Sequence, residues 1–309
     1  MNNIIRADKI TKTYKLQFPF KKIEAVKSVT FSVEENQIFG LLGPNGAGKS
    51  TTLKMMMGII KPTTGSVAIF NSVIDDKNVR KRIGFLPENP SFYPFLTAYE
   101  TLDFIGGLFG IPKESKQDRI KTLIGLVGLK DAMNNPVGTF SKGMAQRLGM
   151  AQALINDPEI IILDEPMSGL DPIGRKEMKD IILMMKRRGK TIIFSSHILP
   201  DIEILADKVC VINKGIVVGI GYIQDIIKRE LKEIELELIS NEKINSLLEK
   251  YKDDCRFFSN HENKIFITTS NAETAEQIMQ LVKENNGRVI SYIPRESKLE
   301  DYFMNLMKD

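Results

Sequence analysis

The chain has 309 residues, 42% hydrophobic and 27% charged, which fits one large globular domain or two of ordinary size. No apolar run approaches the roughly 18 residues of a membrane span, Cys210 and Cys255 make no disulfide framework, and the start MNNIIRADKI lacks the blocks of a secretion signal, so a cytosolic setting is expected. The net charge of +4 is uneven: 13 Lys and Arg face 17 Asp and Glu from Ile223 onward, a net of −4 that leaves +8 before it, which suits a polyanionic nucleotide or an anionic membrane face and, without base-stacking or groove-reading motifs, argues against nucleic acid.

Residues 2–33 read as short strands, with Ala25 to Val33 alternating loosely. Between them Leu16-Gln-Phe-Pro-Phe-Lys-Lys22 reads as a hairpin tip, with contact to lipid or a partner as the alternative. The run Gln37 to Leu42 is apolar enough for a buried strand, and it leads straight into Gly43 to Ser50, which fit G-x-x-x-x-G-K-[ST]. Each residue type there has a physical task. Gly43, Gly46 and Gly48 allow turns that a side chain blocks. The loop amides and the following helix N-terminus then surround a phosphate, Lys49 adds a point charge, and the Ser50 hydroxyl suits Mg²⁺. Thr51 to Met57 read as the first turns of that helix.

Ser66 to Phe70 follows Pro62-Thr-Thr-Gly65 as a second strand, and Arg82 to Glu88 is a strand ending in a turn. From Pro90 to Asn135 the character is helical; Thr97 and Glu100 fit a capping box. The spacing predicts an inserted helical subdomain over about 90–157, its last helix running from 141 to about Asn156. Ile160 to Leu163 is a buried strand that ends in the carboxylate pair Asp164 and Glu165. One carboxylate holding Mg²⁺ and another group orienting water is what phosphoryl transfer needs. Asp171-Pro172 opens a helix that ends near Gly189; the basic run Lys186 to Arg188 complements its dipole. Thr191 to Ser195 is the next strand, followed by His197. Strands alternating with helices predict a mostly parallel sheet.

Beyond about Tyr222 the rhythm changes. Ile234, Leu236 and Leu238 alternate with Glu235 and Glu237. Ile244, Leu247, Leu248 and Tyr251 recur at helical spacing, two strands follow near 256–259 and 264–268, a helix carries Ala275, Ile278, Met279 and Val282 on one face, and Arg288 to Ile293 is a strand. Leu299, Tyr302, Phe303 and Leu306 predict a closing helix. The order β-α-β-β-α-β is that of a ferredoxin-like α+β domain over 223–309, after a nucleotide-binding domain over 1–222.

Phe140-Ser-Lys-Gly-Met-Ala-Gln-Arg147 ahead of the carboxylate strand, Ser168-Gly-Leu-Asp171 after it and His197 beyond complete an ordered set with the phosphate loop. Over roughly residues 1–222 this set resembles the nucleotide-binding subunit of ATP-binding-cassette (ABC) transporters. The resemblance implies an α/β P-loop cassette with an antiparallel β subdomain and a helical subdomain. It implies ATP contacts from Gly43, Pro44, Asn45, Gly46, Ala47, Gly48, Lys49, Ser50 and Thr51, and adenine stacking on Tyr14. By the same resemblance Asp164, with Ser50, holds Mg²⁺, Glu165 is the general base, and His197 meets the γ-phosphate. Ser141 and Gly143 resemble the signature that caps the ATP of a second subunit, which implies a head-to-tail dimer, expected to be a homodimer.

Two departures stand out. The family's usual Leu-Ser-Gly-Gly-Gln is Phe140-Ser-Lys-Gly-Met144 here, and Glu88, expected to meet Mg²⁺ or water, replaces the usual Gln. Both variants resemble the export branch of drug, antimicrobial-peptide and sodium efflux, whose members often carry a C-terminal extension ending like Leu299-Glu-Asp-Tyr-Phe303. The resemblance thus implies ATP hydrolysis that drives export through a separate integral membrane permease, with the chain at the cytoplasmic face of the membrane. Phe92-Tyr-Pro-Phe95 and Tyr99 are read either as the groove for a permease helix or as subdomain core. A ribosome- or DNA-directed ABC ATPase tends to carry two cassettes or a long heptad insertion, which this sequence lacks. A P-loop kinase or GTPase has no use for Ser141-Lys-Gly-Met or His197.

Overall fold

A computed structural model describes residues 3–15, 22–74, 76–227, 231–260, 264–296, 299–300 and 302–303. The chain divides into two compact units, Met1–Ile223 joined by Phe303, and Gln224–Tyr302, so the expected second domain over 223–309 does not hold Phe303. In the larger unit the described strands are β1 (Asn3–Lys15), β2 (Lys22–Glu34), β3 (Ile38–Leu42), β4 (Thr64–Ile69), β5 (Ser72–Val73), β6 (Ile83–Leu86), β7 (Ile160–Leu163), β8 (Thr191–Ser196), β9 (Lys208–Asn213) and β10 (Ile216–Tyr222). The expected short strands at the start are instead two thirteen-residue strands, β1 and β2, paired antiparallel. Bulges disguise their length: Lys9 and Ser28 adopt φ of 44° and 49°, and the register shifts between Ala7 and Ile10. Such shifts break the period-two alternation by which a long strand is recognised. The tip Leu16 to Lys22 lies outside the described residues apart from Lys22.

Two sheets share one core. The antiparallel sheet runs β2-β1-β4-β5, and the second runs β10-β9-β3-β8-β7-β6. The five strands from β9 to β6 are parallel and β10 is an antiparallel edge. Every residue of β3, β7 and β8 is buried, as strands covered on both faces require. Phe31 of β2 stacks on Phe39 of β3 with ring centroids 5.2 Å apart, joining the sheets. The C-terminal ends of β3, β6, β7 and β8 lead to Gly43, Glu88, Asp164 and His197, so one sheet edge gathers four distant parts of the chain.

Helices α1 (Lys49–Met56) and α2 (Lys77–Lys81) precede an inserted group between β6 and β7: α3 (Ala98–Leu108), α4 (Lys113–Leu126) and α5 (Lys142–Leu154). Thr97 and Glu100 form the reciprocal capping box at the start of α3. Next come α6 (Pro172–Arg187), capped by Asp171 with Pro172 in its first turn, and α7 (Leu199–Leu205). At the end of α6, Lys186 is committed to Asp207, so it serves a specific ion pair as well as the helix dipole.

Helix α8 (Ile223–Ile226) falls at the division between the units. The smaller unit contains β11 (Leu231–Ile239), α9 (Glu242–Leu248), β12 (Cys255–Asn260), β13 (Lys264–Thr269), α10 (Ala272–Glu284) and β14 (Arg288–Glu296). Its sheet runs β12-β13-β11-β14 with all pairs antiparallel, the ferredoxin-like order. Ile234, Leu236, Leu238, Ile244, Leu248, Ala275, Ile278 and Val282 form its own core. Leu247 departs from the expected stripe: α9 ends one residue later, and Leu247 is 37% exposed. Of the expected closing helix over 299–306, residues 299–300 and 302–303 are helical, with Leu299 buried, and Leu306 lies outside the described residues. Both cysteines are free, and burial pushes the Cys210 thiol up to about 12.

Candidate functional site

The phosphate loop is shaped by steric demands at three glycines. Gly46 and Gly48 have φ of 80° and 105°, where a β-carbon is strained. Gly43 is needed for a different reason: a β-carbon there meets the Ile212 carbonyl oxygen at 2.1 Å. Helix α1 then begins with no side-chain cap and no acid in its first turn. Its first amides and its positive dipole end are left for an anion.

Lys49 opens α1 and is 5% exposed. Its ammonium donates to the Gly43 and Pro44 carbonyls at 2.7 and 3.3 Å and pairs with Glu165 Oε1 at 3.2 Å. Ser50 Oγ donates to Asp164 Oδ1 at 3.0 Å. Ser195 Oγ donates to the same oxygen at 2.7 Å and accepts from the Glu165 amide at 2.8 Å. The other Glu165 oxygen, Oε2, lies 3.0 Å from His197 Nδ1. A chain of charged and polar groups therefore runs from Lys49 through Glu165 to the half-exposed His197.

A cavity of about 460 Å³ opens over this chain. It is lined by Asn45, Gly46, Ala47, Gly48, Lys49, Ser50, Thr51, Glu88, Glu165 and His197, all expected from the sequence, and by Ala25 and Ser168, which were not. Ser168 stands at the head of the Ser168-Gly-Leu-Asp171 run, which carries part of the resemblance without assigning Ser168 a contact; no sequence signal marks Ala25. Gly43 and Pro44 contribute through the Lys49 contacts, and Asp164 through Ser50. Three expected residues stand apart from the cavity lining. Tyr14 lies on β1 opposite Ile23, 37% exposed, with the Lys12 ammonium 5.5 Å from its ring centre. Ser141 caps α5 by accepting from the Met144 amide at 3.2 Å, and Gly143 sits in the first turn of that helix.

Backbone amides, a buried ammonium and two carboxylates on one cavity wall answer the needs of a polyphosphate and an attacking water, which places the larger unit among P-loop nucleoside triphosphatases. A family model described as ABC transporter matches residues 26–168. The chain is 39% identical over 311 residues to the uncharacterized ABC transporter ATP-binding protein sll0415 of Synechocystis, covering 99% of this chain and 85% of that one. It is 38% identical over 310 residues to the bacitracin transport ATP-binding protein BcrA of Bacillus licheniformis, covering 99% and 98%. Among solved structures it resembles a dimeric post-hydrolysis state of the ATP-binding cassette MJ0796 bound to ADP and Pi, with TM-score 0.66, 26% identity, and coverage of 71% and 98%. The chain belongs to the ABC transporter family, as an ATP-binding subunit that hydrolyses ATP. Subunits of this kind dimerise and work with membrane permease components. Among the described residues, no helix is long and apolar enough to cross a membrane.

Proposed function

We propose that the chain drives export of a small molecule or peptide through a separate permease, as one half of a homodimer at the cytoplasmic face of the membrane. The observation that carries this reading is the split in the site. Lys49, Ser50, Asp164, Glu165 and His197 converge at one sheet edge, while Ser141 and Gly143 lie outside that cavity, available to a second copy. The end-to-end match to the bacitracin transport ATP-binding protein supports a transport substrate of that general kind.

The chemistry follows from the residues. Loop amides and Lys49 hold the β- and γ-phosphates, and Tyr14 stacks on adenine. Glu165 takes a proton from water as its oxygen attacks the γ-phosphorus. The bond to the ADP oxygen breaks as the new P–O bond forms, and His197 steadies the γ-phosphate. The Ser50 hydroxyl and Asp164 carboxylate, 3.0 Å apart, are hard oxygen donors that fit Mg²⁺, with Glu88 on the same cavity wall. When bound, Mg²⁺ offsets phosphate charge.

Mixing single mutants tests the shared site. Ser141→Arg blocks the ATP of the opposite subunit, and Lys49→Ala disables its own. A mixture should regain partial ATPase activity while each parent alone is inactive. Loss of ATP binding by isolated Ser141→Arg monomers would contradict the action in trans.

The permease is expected to meet the aromatic face beside the inserted helices. Tyr93 and Phe95 are 57% and 73% exposed, and Tyr93 also packs edge-on against Phe104, itself 49% exposed. A surface of this kind on a soluble subunit marks an interaction site. Phe95→Asp should leave the basal ATPase rate of the isolated subunit within about twofold, since surface changes are usually mild, and should abolish transport in cells. Normal transport by this variant would remove the face from the coupling path.

The smaller unit holds none of the phosphate, metal or base residues, so a regulatory or dimer-stabilising role is proposed for it. A chain ending at Tyr222 should still bind ATP normally and should turn over more slowly at low protein concentration. ATPase rate measured against concentration decides this: superimposable curves for the full and shortened chains, with transport intact, would exclude both roles.

A further inference from the structure

Ser195 lies one residue before the end of β8, fully buried. The parallel register pairs Leu163 with Phe194, so the next step along both strands sets Ser195 beside Asp164. Its single hydroxyl serves both neighbouring acids. The proton goes to Asp164 Oδ1 at 2.7 Å, and the oxygen accepts the Glu165 amide at 2.8 Å. That amide needs a partner: Glu165 is buried and its φ of 48° lies in the left-handed region, which a non-glycine residue adopts at a cost.

The other hydroxyl on Asp164 Oδ1 comes from Ser50, at 3.0 Å from the first turn of α1. Ser50 is also the hydroxyl proposed above to serve a metal. Ser195 is fixed in a central strand paired to both β7 and β3, so its donation persists. We infer that Ser195 is a positioning residue for ATP hydrolysis, one buried hydroxyl that sets the rotation of the Asp164 carboxylate and the backbone of Glu165 together. The inference rests on the roles proposed above for Asp164 and Glu165. Nothing in the sequence marks Ser195 apart from its place two residues before His197.

The test compares Ser195→Ala, Ser195→Thr and Ser195→Val with the wild-type chain and with Glu165→Gln. Thr and Val have nearly the same shape, so they disturb packing alike and differ in the hydroxyl. Val and Ala should lose about 10- to 100-fold in kcat, the scale of a small misplacement of catalytic groups, with KM for ATP nearly unchanged. Thr should stay within about threefold of wild type. A second readout is ATP affinity by fluorescence titration with Mg²⁺ and with EDTA. The gain in affinity from Mg²⁺ should shrink in Val and Ala and persist in Thr. Melting curves identify any variant that does not fold, and if Val fails to fold, Ala, which only removes an oxygen, carries the comparison. Equal behaviour of Val and Thr, or wild-type kcat and Mg²⁺ response in Ala, would overturn the inference. Normal hydrolysis by Glu165→Gln would instead overturn the base assignment. An inactive Glu165→Gln beside a fully active Ser195→Val would sink only the role of Ser195.

Discussion

Glu165→Gln should lower ATP hydrolysis by about 10²–10⁴, the usual contribution of a general base. The amide keeps the shape of the carboxylate and cannot take a proton from water. The same change should tighten ATP binding. Without nucleotide, Glu165 neutralises Lys49 at 3.2 Å, so the γ-phosphate competes with a carboxylate for that ammonium. Removing the competitor leaves Lys49 buried and short of an anion, which makes phosphate a better partner. The variant should therefore accumulate as a stable ATP-bound dimer, visible by size-exclusion chromatography with MgATP. Wild-type turnover would transfer the base role to another group on the cavity wall, with His197 and Glu88 next to be tested.

Lys49→Ala should weaken MgATP binding by about 2–5 kcal/mol, roughly thirty- to several-thousand-fold in Kd, the cost of truncating one side of a buried, hydrogen-bonded charge pair. Among the residues lining the cavity, Lys49 is the only Lys or Arg, so no neighbour replaces its charge. The nucleotide-free variant should also melt at lower temperature, because Glu165, 8% exposed, keeps His197 and loses its lysine. Nucleotide titration at physiological salt and a melting curve measure the two effects separately. Unchanged affinity would exclude Lys49 from phosphate binding.

The phosphate loop was legible because its chemistry is local: glycines, lysine and serine are spaced by backbone geometry within eight residues. Asp164 and Glu165 were legible because they end a run that only a buried strand explains. The Lys49–Glu165 contact was not, since it joins residues more than a hundred positions apart and appears only once β7 lies two strands from β3 in the sheet. Ser195 was invisible for the same reason, its meaning being its neighbour Asp164 at the end of β7. The misread lengths of β1 and β2 have a local cause, the bulges at Lys9 and Ser28. Ile244, Leu248 and Tyr251 form the buried line of α9 and the turn after it, and Leu247, about 100° round from Leu248, falls outside that line.

The place of β3 in its sheet has a consequence for how the chain is made. Among the described residues β3 pairs with β8 and β9 alone, and β9 ends at Asn213, about 170 residues after β3 itself ends. At about 5–20 residues per second on the ribosome, the strand waits roughly 10–30 seconds for its neighbours. For most of that interval the five residues of β3, all buried in the finished fold, are without their sheet partners. A nascent chain stalled before Thr191 should therefore hold no phosphate loop in working shape, and protease should cut it near Gly43. β8 is complete at Ser196 and β9 at Asn213, so β3 gains its two neighbours in close succession and nucleotide binding should arrive late in synthesis.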